Sequence, residues 1–438
     1  MSTSTAAREP LGPRFAHLVT FSGLSNLADG LILVGLPLLA LTLTRSPVLI
    51  SLISAFFTLP WLLLSLHVGV LVDRTDRVRL VLLATLARVV ALVVAAVLAT
   101  TGRLTMPALL ALVLVFGIAE VVADSASSVL VPAVVPRSRL GAANSRMLGV
   151  QQLANSFLGA PLAGATLALG AGWLFGVPAA LCGLAALVVV RGLHGRVHVV
   201  RPVRPGASIG GDLREGLRFL WWHPVIRPFL VTSTVLNFCS SAYFAVLVLW
   251  VVGPGSFLGL TSRSYGLLAA VLAVGALVGA VLAEPLLRRV GEARLITTSW
   301  FFNSGLLLVP ALVRDLRLVV AALALVGFSN MVGNVVSQTM RQRLVPERLL
   351  GRVGGASRVL GYGCMPIGAA LGGVVGQVFG LPAVLVTGPV VSVLFVAWAA
   401  WKVPQRVVDQ ADAALAADIE VDSEVEPEVD AGVAGVTG

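Results

Sequence analysis

The sequence predicts an all-α membrane protein whose twelve spanning helices form two pseudo-symmetric six-helix bundles. Three observations predict it. The chain is 57% hydrophobic and only 12% charged over 438 residues, against roughly 45–50% and 25% for an average soluble domain. Its apolar stretches recur in windows of about 20 residues closed by charge, Gly or Pro, the length that carries a helix across a bilayer. One long basic connection divides those windows six and six, and a segment of the first half recurs in the second.

Taken in order, the windows lie near 16–43, 47–71, 80–101, 107–135, 144–168 and 172–191, then 228–252, 265–287, 294–313, 317–340, 355–379 and 382–401. Residues 1–14 are polar and carry no apolar signal region, so they read as a short cytoplasmic tail. Residues 15–193 and 228–402 are the two bundles. Residues 194–227 form a cytoplasmic linker, Pro/Gly-rich and basic at first, then amphipathic over GGDLREGLRFLWWHP with Trp221 and Trp222 as interfacial anchors. Residues 403–438 turn acidic and lack aromatics, and are expected to be a disordered tail.

Arg and Lys concentrate in the even-numbered loops, the linker and the tails, whereas the odd-numbered loops hold only Arg45, Arg103, Arg263, Arg314 and Arg317. By the positive-inside rule both termini are cytoplasmic. The net charge of +10 follows from the same distribution. It reads as a basic face beside anionic lipid and not as nucleic-acid binding. Cys182, Cys239 and Cys364 fall in separate apolar spans with no metal-like spacing and read as packing residues.

The repeat pairs GIAEVVADSASSVLVPAVVPRSRLG, Gly117 to Gly141, with GFSNMVGNVVSQTMRQRLVPERLLG, Gly327 to Gly351, at a constant offset of 210. Gly117 meets Gly327, Ser127 meets Ser337, and Pro136 meets Pro346. Glu120 and Asp124 fall on Asn330 and Asn334. The charged copy thus belongs to the first half and the neutral copy to the second.

Four ionisable residues lie at depth: Asp29, Arg88, Glu120 and Asp124. A carboxylate there costs roughly 2.5–3.5 kcal/mol even on insertion scales, so each needs a partner, a proton or water. Counted at 1.5 Å per residue, Asp29 lies roughly 16 Å in, Asp124 roughly 18 Å, Glu120 roughly 24 Å and Arg88 roughly 12 Å. Glu120 and Asp124 are four apart and share a helix face. Desolvation and mutual repulsion favour the neutral form of such a carboxyl. Glu120 or Asp29 is therefore the candidate proton-coupling acid, with Asp124 paired to Arg88. The alternative is a static network that only joins the third and fourth spans. Asn26, Gln151, Asn155, Asn237, Asn330 and Asn334 are polar positions that could line a substrate cavity or simply bond between helices.

Between the second and third spans, HVGVLVDRTDRVRL (His67 to Leu80) packs Asp73, Arg74, Asp76, Arg77 and Arg79 together. A Gly at 69 allows close approach, and Asp73 at a helix end can pair with Arg77 or with a neighbouring helix N-terminus, locking one state and releasing another. The alternative is a set of solvated positive-inside charges. The segment resembles the signature of the major facilitator superfamily: Gly69, Asp73, Arg74 and Arg77 match, Asp76 stands where Gly is usual, and Val78 interrupts the basic pair. In GVQQLANSFLGAPLAGATL, Gly159, Pro161 and Gly164 resemble the Gly/Pro helix-packing motif of its drug-antiporter branches, with Ala160 intervening before the Pro.

The resemblance covers about residues 15–402 and is strongest to bacterial macrolide- and siderophore-efflux members. It implies the major facilitator fold and a secondary active transporter, a proton-coupled antiporter exporting a hydrophobic or cationic drug or secondary metabolite by alternating access. Proton-coupled nutrient uptake is the alternative, and a membrane receptor or enzyme the more distant one. The resemblance further implies a multi-pass monomer in the bacterial inner membrane, with protons, a small molecule and the bilayer as partners. No enzyme activity, cofactor or metal is expected: His17 and His67 lie near helix ends, His194, His198 and His223 lie in the linker, and there is no Gly-Lys-Ser/Thr phosphate loop.

Overall fold

The computed structural model describes residues 11–136, 139–193, 209–346, 349–410 and 413, and they are almost entirely helical. Residues 1–10, the first part of the predicted linker (194–208) and most of the acidic stretch beyond 410 lie outside the described residues. The first half comprises α1 (Pro13–Leu43), α2 (Pro47–Arg74), α3 (Arg77–Thr100), α4 (Met106–Ser128), α5 (Val131–Val134), α6 (Leu140–Gln152), α7 (Ala160–Leu169) and α8 (Ala171–Gly192). After α9 (Ile209–Trp222), the second half comprises α10 (Ile226–Val251), α11 (Ser262–Val290), α12 (Glu292–Leu306), α13 (Leu308–Leu312), α14 (Leu316–Leu344), α15 (Leu350–Phe379) and α16 (Leu381–Lys402).

Helix is the only open-ended solution for these apolar runs, because lipid offers the backbone no hydrogen-bond partner. Turn chemistry sets the breaks. Ser46, Asp76, Thr261 and Asp315 cap α2, α3, α11 and α14 by accepting from backbone N–H groups of the first turn. Gly170 and Gly380 turn the chain between successive spans at φ of 132° and 86°, a region other residues avoid.

Among the described residues, eleven stretches are long and apolar enough to span a bilayer. The twelfth is Leu140–Leu169, which α6 and α7 share with a π-helical segment, Leu153–Gly159, between them. Pro161 lacks an N–H to donate to the preceding turn, and the wider winding just before it absorbs that loss.

The repeat extends well beyond the segment that revealed it. Helices start at Met106 and Leu316, at Leu140 and Leu350, and at Ala171 and Leu381, each pair 210 positions apart. Its first glycine does the same work twice: Gly117 brings α4 against the Phe57 carbonyl of α2, and Gly327 brings α14 against the Leu272 carbonyl of α11.

The two ends of the molecule are built differently. At the end carrying the short loops (44–46, 101–105, 170, 252–261, 313–315, 380), one buried apolar cluster takes residues from both halves, among them Leu36, Ile50, Phe175, Tyr243, Val246 and Leu323. At the opposite end, where α9 lies, there are two clusters, one within residues 11–193 and one within 220–408. Contacts between halves follow the same division. Gly373 meets Ser51 and Pro47, Gly164 meets the Ser262 and Arg263 backbone, Gly266 meets the Ala160 carbonyl, and Ser46 Oγ donates to Gln377 Oε1 at 3.1 Å. Among the described residues, the halves are joined at the short-loop end and form separate apolar clusters at the linker end.

Order continues past the last span, contrary to the disorder expected from residue 403. Residues 405–410 are helical, Val403 and Val408 are buried, and Gln405 Oε1 accepts from the Ala293 N–H at 2.9 Å. The acids begin only after VPQRVV, whose valines have a groove to fill.

Candidate functional site

The buried polar centre lies inside the first half. Arg88, on α3, is only 1% exposed. It forms an ion pair with Asp29 of α1 and donates to Ser25 Oγ, one turn earlier on that helix, at 2.6 Å. Its guanidinium carbon lies 4.5 Å from the ring centroid of Phe116 on α4, close enough for cation–π attraction. Glu120 is one turn beyond Phe116 and half-buried. Its Oε2 is buried with no donor among the described residues, and Arg88 Nε is buried with no acceptor among them. An arginine, an acid already engaged and an acid with a spare oxygen therefore share one low-dielectric space.

This corrects the expected partner of Arg88, which depth alone gave as Asp124. Depth does not say which helix faces inward, and Asp29 presents its carboxylate directly across from α3. Asp124 is exposed. At 100° per residue it lies on the far side of α4 from the exposed apolar stripe of Ala111, Val115 and Ile118, so it looks into the opening between the halves. On α14, exposed Asn330 and Asn334 stand opposite the stripe of Leu318, Ala321 and Leu325 and face the same way, with Asn334 Nδ2 donating to Asn330 Oδ1 at 3.0 Å.

The other polar candidates are placed less uniformly. Gln151 is exposed, whereas Asn155 is half-buried and its carbonyl abuts Gly30, the neighbour of Asp29. Asn26 is half-buried and spends its amide within α1, donating to the Ser22 carbonyl at 2.9 Å and to Ser22 Oγ at 3.3 Å. Asn237 is half-buried against Gly361 of α15. The Gly159, Pro161 and Gly164 motif divides its labour: Gly159 meets the Gly30 backbone within the half, and Gly164 meets α11 of the other half.

In the loop motif, Asp76 accepts from Val78 N–H at 3.0 Å and from Arg79 N–H at 3.1 Å, capping α3. Arg77 is buried and Arg74 is exposed, while the Asp73 side chain lies outside the described residues. Gly69 was expected to permit a close approach, yet a Cβ built there would meet nothing within 4 Å. Among the described residues, nothing from the other half reaches it.

Sequence reading missed Ser25 and Phe116. Both were signalled by helical spacing, each lying four residues before an acid already singled out.

The family model described as "Transmembrane secretion effector", of the major facilitator type, matches residues 7–436. The multidrug efflux pump Tap of Mycolicibacterium fortuitum is 26% identical over 380 residues, covering 84% of this chain and 90% of that protein. The enterobactin exporter EntS of Citrobacter koseri is 27% identical over 315 residues, covering 70% of this chain and 72% of that protein. The crystal structure of the nucleoside transporter NupG superposes with a TM-score of 0.70 at 14% identity, over 89% of this chain and 99% of that one, which is a likeness of fold. With a family model matched from end to end and twelve spans in two halves, this chain belongs to the major facilitator superfamily of transporters.

Proposed function

We propose that this transporter exports a hydrophobic or cationic small molecule across the bacterial inner membrane in exchange for protons, with Glu120 carrying the proton. The observation that carries the reading is the Glu120 oxygen that is buried without a donor beside an arginine committed to Asp29. Burying an unpaired carboxylate costs several kcal/mol, whereas the carboxylic acid costs far less. Glu120 therefore holds a proton in this arrangement. When the proton leaves, the carboxylate gains by engaging the unused Nε edge of Arg88, which loosens the hold of Arg88 on Asp29 in α1. One proton thus changes which helix the arginine binds.

In this reading the positive-inside rule puts both termini and the linker end on the cytoplasmic side, which makes the geometry inward-facing. Asp124, Gln151, Asn330 and Asn334 are open to that side. Exposed amides beside the buried charges of the first half suit a polar-tipped apolar molecule. The named activities of Tap and EntS support export as the direction.

The test is substrate-driven proton movement in inverted vesicles, screened against a panel of cationic amphiphiles. Glu120→Gln is expected to abolish uphill transport and substrate-induced proton release while counterflow persists. Proton release that survives in Glu120→Gln would remove Glu120 from this role. Accumulation of a nutrient by whole cells, with no protection against any compound, would reverse the direction.

A further inference from the structure

We propose that one face of α9, made of Arg214, Arg218, Trp221 and Trp222, is a binding surface for anionic phospholipid headgroups. The four positions follow i, i+4, i+7 and i+8 and so form a single stripe on the helix. All four are exposed, Trp221 at 58% and Trp222 at 77%. Tryptophans this exposed fit the one medium that wets both their apolar rings and their N–H groups, the headgroup layer.

The opposite face fixes the stripe in place. Leu220 is buried in the same cluster as Val353 and Ala356 of α15. Gly216 rests against the Arg352 carbonyl, where a larger residue would collide. Glu215 is exposed but accepts from Arg352 of α15 at 2.7 Å, so its charge is paired, and the stripe itself carries only cationic and aromatic side chains. The far end is fixed as well. His223 Nδ1 accepts from the Val225 and Ile226 N–H groups, each at 3.2 Å, and burial holds its pKa below the usual imidazole range, keeping the ring neutral for that task.

Arginine forks match phosphate oxygens in pairs, and the four-residue spacing of Arg214 and Arg218 lets both reach one layer of headgroups. A zwitterionic headgroup offers its phosphate with a cation attached, whereas phosphatidylglycerol offers the phosphate alone. Charge complementarity therefore selects the anionic lipid. Bound there, α9 holds the linker end of α15 in the leaflet surface.

Full-length protein in nanodiscs containing brominated lipid tests this through tryptophan quenching. The signal of these two tryptophans is the difference between wild type and the W221F/W222F variant. Brominated phosphatidylglycerol is expected to quench that signal several-fold more than an equal fraction of brominated phosphatidylcholine, on the order of fivefold preference per arginine at low salt. R214Q/R218Q should lose the preference while phosphatidylcholine quenching stays, and R214K/R218K should keep part of it. Equal quenching by both lipids in the wild type, or an unchanged preference in R214Q/R218Q, would overturn the proposal. No transport is measured, so the result is independent of the role given to Glu120.

Discussion

Two matched helices make opposite choices at the same place. Arg88 lies as far from the start of α3 at Arg77 as Asn303 lies from the start of α12 at Glu292. Both are buried. Arg88 needs Asp29, Ser25 and the Phe116 ring, whereas the Asn303 amide is satisfied by the Val326 carbonyl at 3.1 Å. The neighbouring span repeats the contrast, with Glu120 and Asp124 answered by Asn330 and Asn334. Duplication has kept the backbone approach, as Gly117 and Gly327 show, and has varied the charge. One half carries buried charges where the other has neutral amides at corresponding places.

The sharpest way to break this comparison is Asp29→Asn. It leaves a guanidinium buried without its counter-ion, expected to cost about 3–5 kcal/mol and to appear as a large fall in melting temperature in detergent. The double variant Asp29→Asn with Arg88→Gln should recover much of that loss, since a neutral pair removes the stranded charge. If the single and double variants melt alike, the ion pair is not what the first half depends on.

Next in size are the glycines. Gly327→Ala places a methyl against the Leu272 carbonyl of a tightly packed helix pair, with an expected loss of about 1–3 kcal/mol. Gly117→Ala is expected to cost less, because its Cβ would sit 2.8 Å from the Phe57 carbonyl and needs a smaller shift. A reversed order in thermal melts would mean that the second half, and not the first, absorbs helix displacement. Asn303→Ala should cost only about 1 kcal/mol, the net worth of one neutral hydrogen bond, well below the Asp29→Asn loss. A comparable loss would make the neutral half as dependent on its buried polar group as the charged half is on its own.

What the sequence disclosed, and what it hid, divides along physical lines. Span number, the two halves and the offset of 210 were legible because apolar length and repeated Gly, Ser and Pro are local properties. The pairing of Arg88 was not. Depth along a helix is readable from residue count, but rotation about the axis and the identity of the facing helix depend on packing, and Asp29 won over Asp124 on those grounds. The Gly159, Pro161 and Gly164 motif was recognisable as a packing element, while the π-helical winding ahead of Pro161 required the neighbouring Gly30 to be seen. The ordered residues 405–410 escaped because a short apolar run before an acidic tail has no meaning until the groove it fills is known.

Gly69 gives the smallest expected effect on stability and separates the two ends of the molecule. At the short-loop end Gly164 and Gly266 already touch the opposite half, whereas a Cβ at Gly69 would meet nothing within 4 Å. In the observed state Gly69→Ala should therefore leave the melting temperature unchanged or raise it slightly, since Ala is favoured over Gly in a helix by up to about 1 kcal/mol. If the linker end closes during the cycle, α2 must approach the other half there, and the added methyl obstructs a state that a melt of the open form does not sample. Slowed transport at undiminished stability is the expected pair of results. Unchanged transport would mean that the linker end closes without packing on Gly69, and the gate would then rest on the charges of the loop alone.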